Sequence, residues 1–583
     1  MLFGIGSADL EGWSARITFE LVIVEGKRVT LGLARRQGDL LDDLTRFCGE
    51  AVGDGSIYGL LHRERDRLFP DAMFADLYTD RGRRSVPPSV LACVMVLQRL
   101  EGCSDREATD RFTFDARWRY ACGVGGWQQE PTSFVHTVLV RTRMRLRASG
   151  DPDRVFRVSK QVAAEAGLVG VRRVLDSAPL FDAVATMDTV TLIRSAIRGV
   201  LRAADGELAG EVRAVLARDD DYGVAGKPAC DWDDAAAREL LIDALVCDGL
   251  AVLTLLDGRE LAAPVAEAAE LLAVVVGQDT KADADGRFRI VRGVAADRVI
   301  STVDPDARHG HKTSARGFDG YKGHAAMDPD SEIVTGAAAG PAGGGDAAMT
   351  DELLDDMVTG EHTTDTGDRD GGDGGEHARG GNASDGDGDG ESPRPAVYGD
   401  AAYGSGDNLA RLAQVGAKPM VKVQPANAPG GRFSKDDFDI DLAKHTVTCP
   451  AGHTAAIPDR DADKVAVRFA DHCTDCPLRP QCTTAAAGRT ITIGRHEQRL
   501  QAARARQQDP AWQADYRATR PKVERKLAHL LRRRHGGRRV RMRGLRRVDQ
   551  DWKLLAGAVN LARLATLGVR WTPTGWTTTP ATS

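Results

Sequence analysis

Residues 359–395 end in GDRDGGDGGEHARGGNASDGDGDGESPRP, a Gly- and Asp-rich tract with almost nothing to bury. Such a segment cannot offset its ordering entropy and is predicted to be a loop without fixed structure. Calcium-binding repeats do not explain it, because it has neither a nonapeptide period nor the terminal Glu of an EF-hand loop at the right offset. Whatever folds must therefore be assembled from stretches on both sides of the tract, so residues far apart in sequence have to meet in one core.

The length of 583 residues exceeds one ordinary core and predicts three or four domains, or one domain with large insertions. No apolar run reaches the ~18 residues of a membrane span, and MLFGIGSADLEGWSARITFE carries acids and Arg where a signal peptide needs a clean apolar stretch. The expectation is a soluble, cytoplasmic protein with no membrane partner. A net charge of −6 argues against nucleic acid as a partner, but the average hides an asymmetry. Residues 360–391 hold ten acids and two arginines, whereas residues 517–547 hold fourteen Lys or Arg and a single acid, Glu524.

Along the chain, residues 1–60 offer only a possible pair of strands in ARITFELVIVEGKRVTLGL. Residues 61–150 read as a small helical domain: apolar residues recur at three and four, Pro87 and Pro88 sit near a helix start, and Ser104 with Glu107 makes a capping box. The helix in 131–149 carries Arg141, Arg143, Arg145 and Arg147, either a solvated basic face or a DNA-contacting one. Residues 165–187 begin an α/β core, 188–285 read as an all-α insertion, and 286–358 return to core strands and a helix over Asp346 to Met357. GYKGHAAMDPDSEIVTGAAAG is a hairpin turning at Asp328 to Ser331. Past the tract come a core strand and helix (396–430), a Cys-rich insertion (431–495) and C-terminal helices (496–570).

Two places repeat one pattern. VRRVLDSAPLF ends a short apolar strand on Asp176, and AVYGDAAYGS ends another on Asp400. A turn-shaping acid explains either one alone. Glu524, the third acid, lies in a basic helix with Arg520 one turn before it, where an ordinary helix salt bridge is the plain alternative. Three carboxylates brought to one sheet edge are the oxygen donors that Mg²⁺ takes, and two ions about 4 Å apart clamp the attacking and leaving oxygens of a phosphodiester exchange.

Of ten cysteines, Cys48, Cys93, Cys103, Cys122, Cys230 and Cys247 read as small core residues, reduced in a cytosolic chain. Cys449, Cys473, Cys476 and Cys482 fall within thirty-four residues and fit a tetrahedral, structural Zn²⁺ site in a small knuckle-like insertion, with His453 or His472 able to replace one ligand.

LDSAPL, GYKGHAAMDPDSEIVTG, VYGDAAYGS and YRATRPKVERKLAHLLRR, in this order, resemble the bacterial insertion-sequence transposases of the DDE class, and residues 68–124 are similar to the helical domain that precedes their catalytic core. The resemblance implies an RNase H-like mixed sheet, an Asp176, Asp400 and Glu524 triad holding two Mg²⁺ ions, and action on double-stranded DNA, at transposon ends and target. Water would free a 3′-hydroxyl that then attacks target DNA. It also implies a homo-oligomer, because two ends must be brought together, and a cytoplasmic, nucleoid-associated location. Arg520 keeps the family's four-residue interval to Glu524, whereas Tyr516 stands four before Arg520 where the family has three. Under this reading Arg520, Arg532, Arg533, Arg534, Arg538, Arg539, Arg541 and Arg543 line the DNA backbone, positioning it rather than reading it. A metal-dependent nuclease on the same fold and a decayed, DNA-binding relative are the alternatives.

Overall fold

The computed structural model describes residues 43–124, 133–313, 316–358, 394–459 and 462–578, apart from positions 80 and 83, together with a short hairpin, Ile23–Val24 and Lys27–Arg28. The Gly/Asp tract and most of the proposed N-terminal strands lie outside the described residues. The chain divides into two compact units, one of residues 1–98 and 103–152, the other of residues 99–102 and 153–583.

The first unit is helical. Ser104 caps the helix Asp105–Phe114 in a reciprocal box with Glu107, as the spacing predicts. On the helix Thr137–Ala148, Arg143 pairs with Asp105 at 2.5 Å and Arg145 lies 5.0 Å over the Tyr78 ring, so part of its basic face is committed inside the unit.

The second unit is built on one mixed sheet: β1 (Arg172–Phe181), β2 (Arg308–Thr313), β3 (Arg316–Met327), β4 (Val334–Pro341), β5 (Ala396–Gly399) and β6 (Lys418–Val421). Its order is β6-β5-β1-β3, with β2 and β4 both pairing with β3. β5 runs parallel to β1 and β6 parallel to β5, while β3 is antiparallel to β1. Strand alternation divides the core. Leu175, Ala326, Val397 and Val421 face one side with Leu353, Tyr403 and Leu412, while Val174, Met327, Tyr398 and Met420 face the other with Trp512, Tyr516 and Val523.

The longer helices are α1 (Arg154–Glu165), α2 (Thr189–Ala203), α3 (Gly206–Val215), α4 (Ala235–Leu256), α5 (Ala263–Asp279), α6 (Gly406–Gln414), α7 (Glu497–Arg506), α8 (Pro510–Thr519), α9 (Pro521–Leu530) and α10 (Leu545–Thr566). Helices α2 to α5 enclose their own apolar core between β1 and β2. Asn560 of α10, fully buried, ties that helix to the sheet: its side chain accepts from Val334 N at 2.8 Å and donates to Val334 O at 2.8 Å and to Ser159 Oγ on α1 at 3.2 Å. Gly323 of β3 must lack a side chain, because a Cβ there would stand 2.9 Å from the Trp552 ring of α10.

Four expectations need correction. β1 does not end at Asp176 but runs on to Phe181, because Asp176 continues the ladder opposite Ala325 of β3. Pro179 is tolerated within it because β5 pairs only Arg172 to Val174, and the edge is met again only at Phe181. The helix over Asp346 to Met357 is broken into Asp346–Met349, Thr350–Leu353 and Asp355–Val358: acids at 351, 352, 355 and 356 repel a turn apart, and Asp356 is drawn to Arg173 at 2.6 Å. The basic stretch leaves the α-helix after Leu530: a short 3-10 turn, Arg533–His535, ends on Gly536 in a left-handed conformation with φ 60°, and α-helix resumes only at Leu545. Cys48, Cys93, Cys103 and Cys122 are buried, but Cys247 is exposed on α4 and Cys230 only half-buried.

Candidate active site

The site follows from strand register. Arg172, Arg173 and Val174 of β1 lie beside Ala396, Val397 and Tyr398 of β5. Two residues past Val174 stands Asp176, and two past Tyr398 stands Asp400, so two parallel strands present carboxylates at the same level, where β5 ends and the strands part. Such a crevice at the carboxyl ends of parallel strands is where open α/β sheets place their ligands.

Helix α9 supplies the third acid. Pro521 at its start sets the helical φ and leaves Arg520 as the hinge residue between α8 and α9. The Arg520 guanidinium is 3.0 Å from Asp176 Oδ1, 3.7 Å from Asp400 Oδ2 and 3.5 Å from Glu524 Oε1. The three acids named from the sequence thus converge on one buried arginine. The salt-bridge reading of Glu524 holds as geometry, but the arginine is shared by all three. The turn reading of Asp400 also holds in part: its Oδ1 accepts from Ala402 N at 2.9 Å, while Oδ2 faces the site.

Environment separates the carboxylates. Asp176 is 15 % exposed, whereas Asp400 is 46 % and Glu524 65 % exposed. Burial pushes the Asp176 carboxyl up, Arg520 pulls it down, and the neighbouring Asp400 raises it further, leaving it above the usual range. Burial also works against the Arg520 charge, yet Asp176, Tyr516 and Asp400 outweigh it and the guanidinium titrates above its ordinary value. Arginine gains more from this arrangement than Asp176 does.

Tyr516 packs rather than points: its hydroxyl donates to Gly399 O at 3.1 Å and its ring stacks on Trp512 at 4.9 Å, anchoring α8 to the end of β5. Burial, with the three site carboxylates, pushes its hydroxyl up to about 12.

Several residues behind the site were not singled out as functional in the sequence. Asp346 accepts from Ser177 Oγ at 2.6 Å and from Lys322 Nζ at 2.8 Å. His324, directly across the ladder from Ser177, is buried with no partner for Nδ1 among the described residues, and burial lowers it to about 4. Among the described residues the fully buried Tyr403 hydroxyl has no hydrogen-bond partner; burial and then Asp346, Asp176 and Asp400 raise it well above its ordinary value. Hairpin register alone could have placed His324 beside Ser177; nothing in the sequence points to Asp346 or Tyr403.

As the side chains stand, no group of three or more His, Cys, Asp or Glu among the described residues is arranged to hold a metal ion. The donor set nevertheless suits a hard cation: three carboxylates already surround one positive charge, and Arg520 stands between them. In the Cys-rich insertion, Cys449, Cys473, Cys476 and Cys482 line one cavity of about 20 Å³ together with His472, which stacks on His453 at 4.9 Å. Burial pushes the Cys482 thiol up, Arg489 opposes it, and the other three cysteines push it further up. Of the basic residues, Arg532, Arg533, Arg534, Arg538, Arg539, Arg541 and Arg543 are exposed on the turns between α9 and α10, whereas Arg520 is buried in the site.

Residues 448–565 match a family model described as a transposase DDE domain, and residues 56–145 match one described as a transposase domain (DUF772). Both matches are to transposase domains and indicate an insertion-sequence DDE transposase. No curated protein and no solved structure matches it. The DDE match takes in the cysteines and Glu524, while Asp176 and Asp400 precede it. Transposases act on DNA, and DDE domains generally use divalent metal ions. Among the described residues no helix is long and apolar enough to cross a membrane.

Proposed function

We propose that this transposase cuts and joins DNA with Asp176, Asp400 and Glu524 as its catalytic triad on an RNase H-like core. The observation that carries the reading is the meeting of these three acids, from positions 176, 400 and 524, on the Arg520 guanidinium. The sheet order supports the fold assignment: an antiparallel β1-β3-β4 half followed by parallel β5 and β6 is the RNase H-like arrangement, and a helix enters from the C-terminal side with the third acid. The triad would hold two Mg²⁺ ions, which supply charge stabilisation at the phosphoryl group and at the attacking and leaving oxygens. Asp176, walled in by β3 and α9, fixes position. Asp400 and Glu524, open to solvent, face the substrate side. Arg520 neutralises the acids while the site is empty of DNA and turns to a backbone phosphate when DNA arrives. Exposed arginines from Arg532 to Arg543 hold the duplex by its phosphates, so binding weakens steeply with salt. The four clustered cysteines would hold a structural Zn²⁺ that closes the insertion between β6 and α7. Two DNA ends require more than one protomer, so the active form is an oligomer.

The deciding experiment is Mg²⁺-dependent cleavage and joining of DNA carrying the element's own ends, wild type against Asp400→Asn. Loss of both steps with retained DNA binding is the expected result. A wild type that binds DNA without cutting it points to a binding-only protein, and one that cuts without joining points to a nuclease.

A further inference from the structure

Phe181, the last residue of β1, is a large apolar side chain left 36 % exposed on a basic surface. Its backbone is clamped: Phe181 N donates to Arg538 O at 2.9 Å and Val540 N donates to Phe181 O at 3.0 Å. Phe318 buttresses the ring edge-on at 5.8 Å. The ring therefore cannot fold away from solvent. On one side it borders a cavity of about 860 Å³ lined by Arg532, Arg533, Arg538 and Arg539. On the other it borders a cavity of about 490 Å³ lined by Lys312, Arg316 and Arg538.

Among the described residues none of the four arginines of the larger cavity has a carboxylate partner. The acid at its rim, Asp182, faces Asp304 instead, and burial with that neighbour pushes its carboxyl up to about 6. Like charges held together without acids leave room for a polyanion. An aromatic face beside them adds a flat apolar surface, and a purely phosphate-binding groove needs none. Arginines with a stacking platform are the chemistry of single-stranded nucleic acid binding. The cavity is of ligand size, far too small to admit a duplex. Along β1, Phe181 lies five residues beyond Asp176, about 17 Å at ~3.4 Å per residue, or about five steps along one DNA strand.

We propose that this cavity receives one unpaired nucleotide of the DNA, its base stacked on Phe181 and its flanking phosphates held by Arg532, Arg533, Arg538 and Arg539. The proposal rests on the DNA-acting reading above. It gives the protein a means of holding a frayed or cleaved end at a set distance from the triad.

The test uses the full-length protein, without Mg²⁺, and a short duplex of fixed sequence, either blunt or with a single-stranded overhang carrying 2-aminopurine. The wild type is expected to bind the overhang about five- to tenfold or more tightly than the blunt duplex, the range of one base stacked on an aromatic ring, and to quench the 2-aminopurine. Phe181→Leu, which keeps an apolar side chain against Phe318, should lose the preference and the quenching while binding blunt duplex as before; Phe181→Trp should keep both. Equal binding of the two DNAs by wild type, or a preference that survives in Phe181→Leu, overturns the pocket and leaves the transposase reading intact. Wild type that binds neither DNA overturns both.

Discussion

At the scale of single residues, Arg520 is the centre of the site. Its guanidinium reaches Asp176, Asp400 and Glu524 within 3.7 Å, and it is 6 % exposed. A buried cation among three acids relieves the repulsion a metal ion would otherwise relieve, so the two compete. Replacing Arg520 with Ala is expected to raise Mg²⁺ affinity in the absence of DNA by at least about tenfold, since a unit charge at ~4 Å is worth ~4 kcal/mol at an effective dielectric of 20. Arg520→Lys, which keeps the charge, should lie between. Calorimetric titration with Mg²⁺ reads this directly, and unchanged affinity in Arg520→Ala would remove Arg520 as the counter-ion. A second residue-scale prediction concerns His324, 2 % exposed and lowered from 6.5 to about 4 by burial. Below pH 6.5 the unfolded chain takes up the proton before the native one. Its contribution is therefore intact above pH 6.5 and lost as pH falls toward 4, at no more than about 1.4 kcal/mol per pH unit. Melting temperatures across this window should fall less steeply for His324→Phe than for wild type; parallel curves would show that His324 does not titrate on unfolding.

At the scale of elements, the strands and the helix α10 decide whether the acids meet. Periodicity in LLAGAVNLARLATLG is enough to predict a core-packing helix, and the structure extends it back to Leu545. Pattern reading does not reveal that one polar residue, Asn560, does the fastening. Replacing it with Leu strands the Val334 N–H and C=O without partners and should cost about 2–4 kcal/mol, seen as a lower melting temperature with the fold otherwise kept. A change within experimental error would mean that water or a backbone shift replaces these bonds. The contrast between β1 and the strand expected to stop at Asp176 has a related cause. Asp is a poor strand former, and only the ladder to β3 overrides that local preference.

At the scale of the whole molecule, the core sheet is gathered from residues 172–181, 308–341, 396–399 and 418–421, and two insertions hang from it. The helical insertion carries its own apolar core, whereas the Cys-rich one has a small cluster around Phe438, Val447 and Phe469 that includes Cys473 and Cys482. A small core of that kind commonly needs a metal. The purified protein is expected to contain about one zinc per chain, and a strong chelator or Cys476→Ser should unfold this segment, read as new protease cleavage between residues 431 and 495, without abolishing the α/β sheet signal. Protein free of zinc and indifferent to chelator would rule the metal out.

Sequence alone determined the local matters: the capping box at Ser104, the hairpin at Asp328 and the choice of Asp176, Asp400 and Glu524 as residues of interest. Each depends on neighbours within a turn or a strand, where side-chain type and spacing carry the physics. Only the tertiary structure decided that the three acids share Arg520, that Asp346, Ser177, Lys322 and His324 form a buried group behind them, and that Phe181 stands among arginines that have no carboxylate partner among the described residues. These arise from register between strands and from helices packed across hundreds of residues, and an unpaired charge or an exposed ring has no local signature until the chain around it has closed.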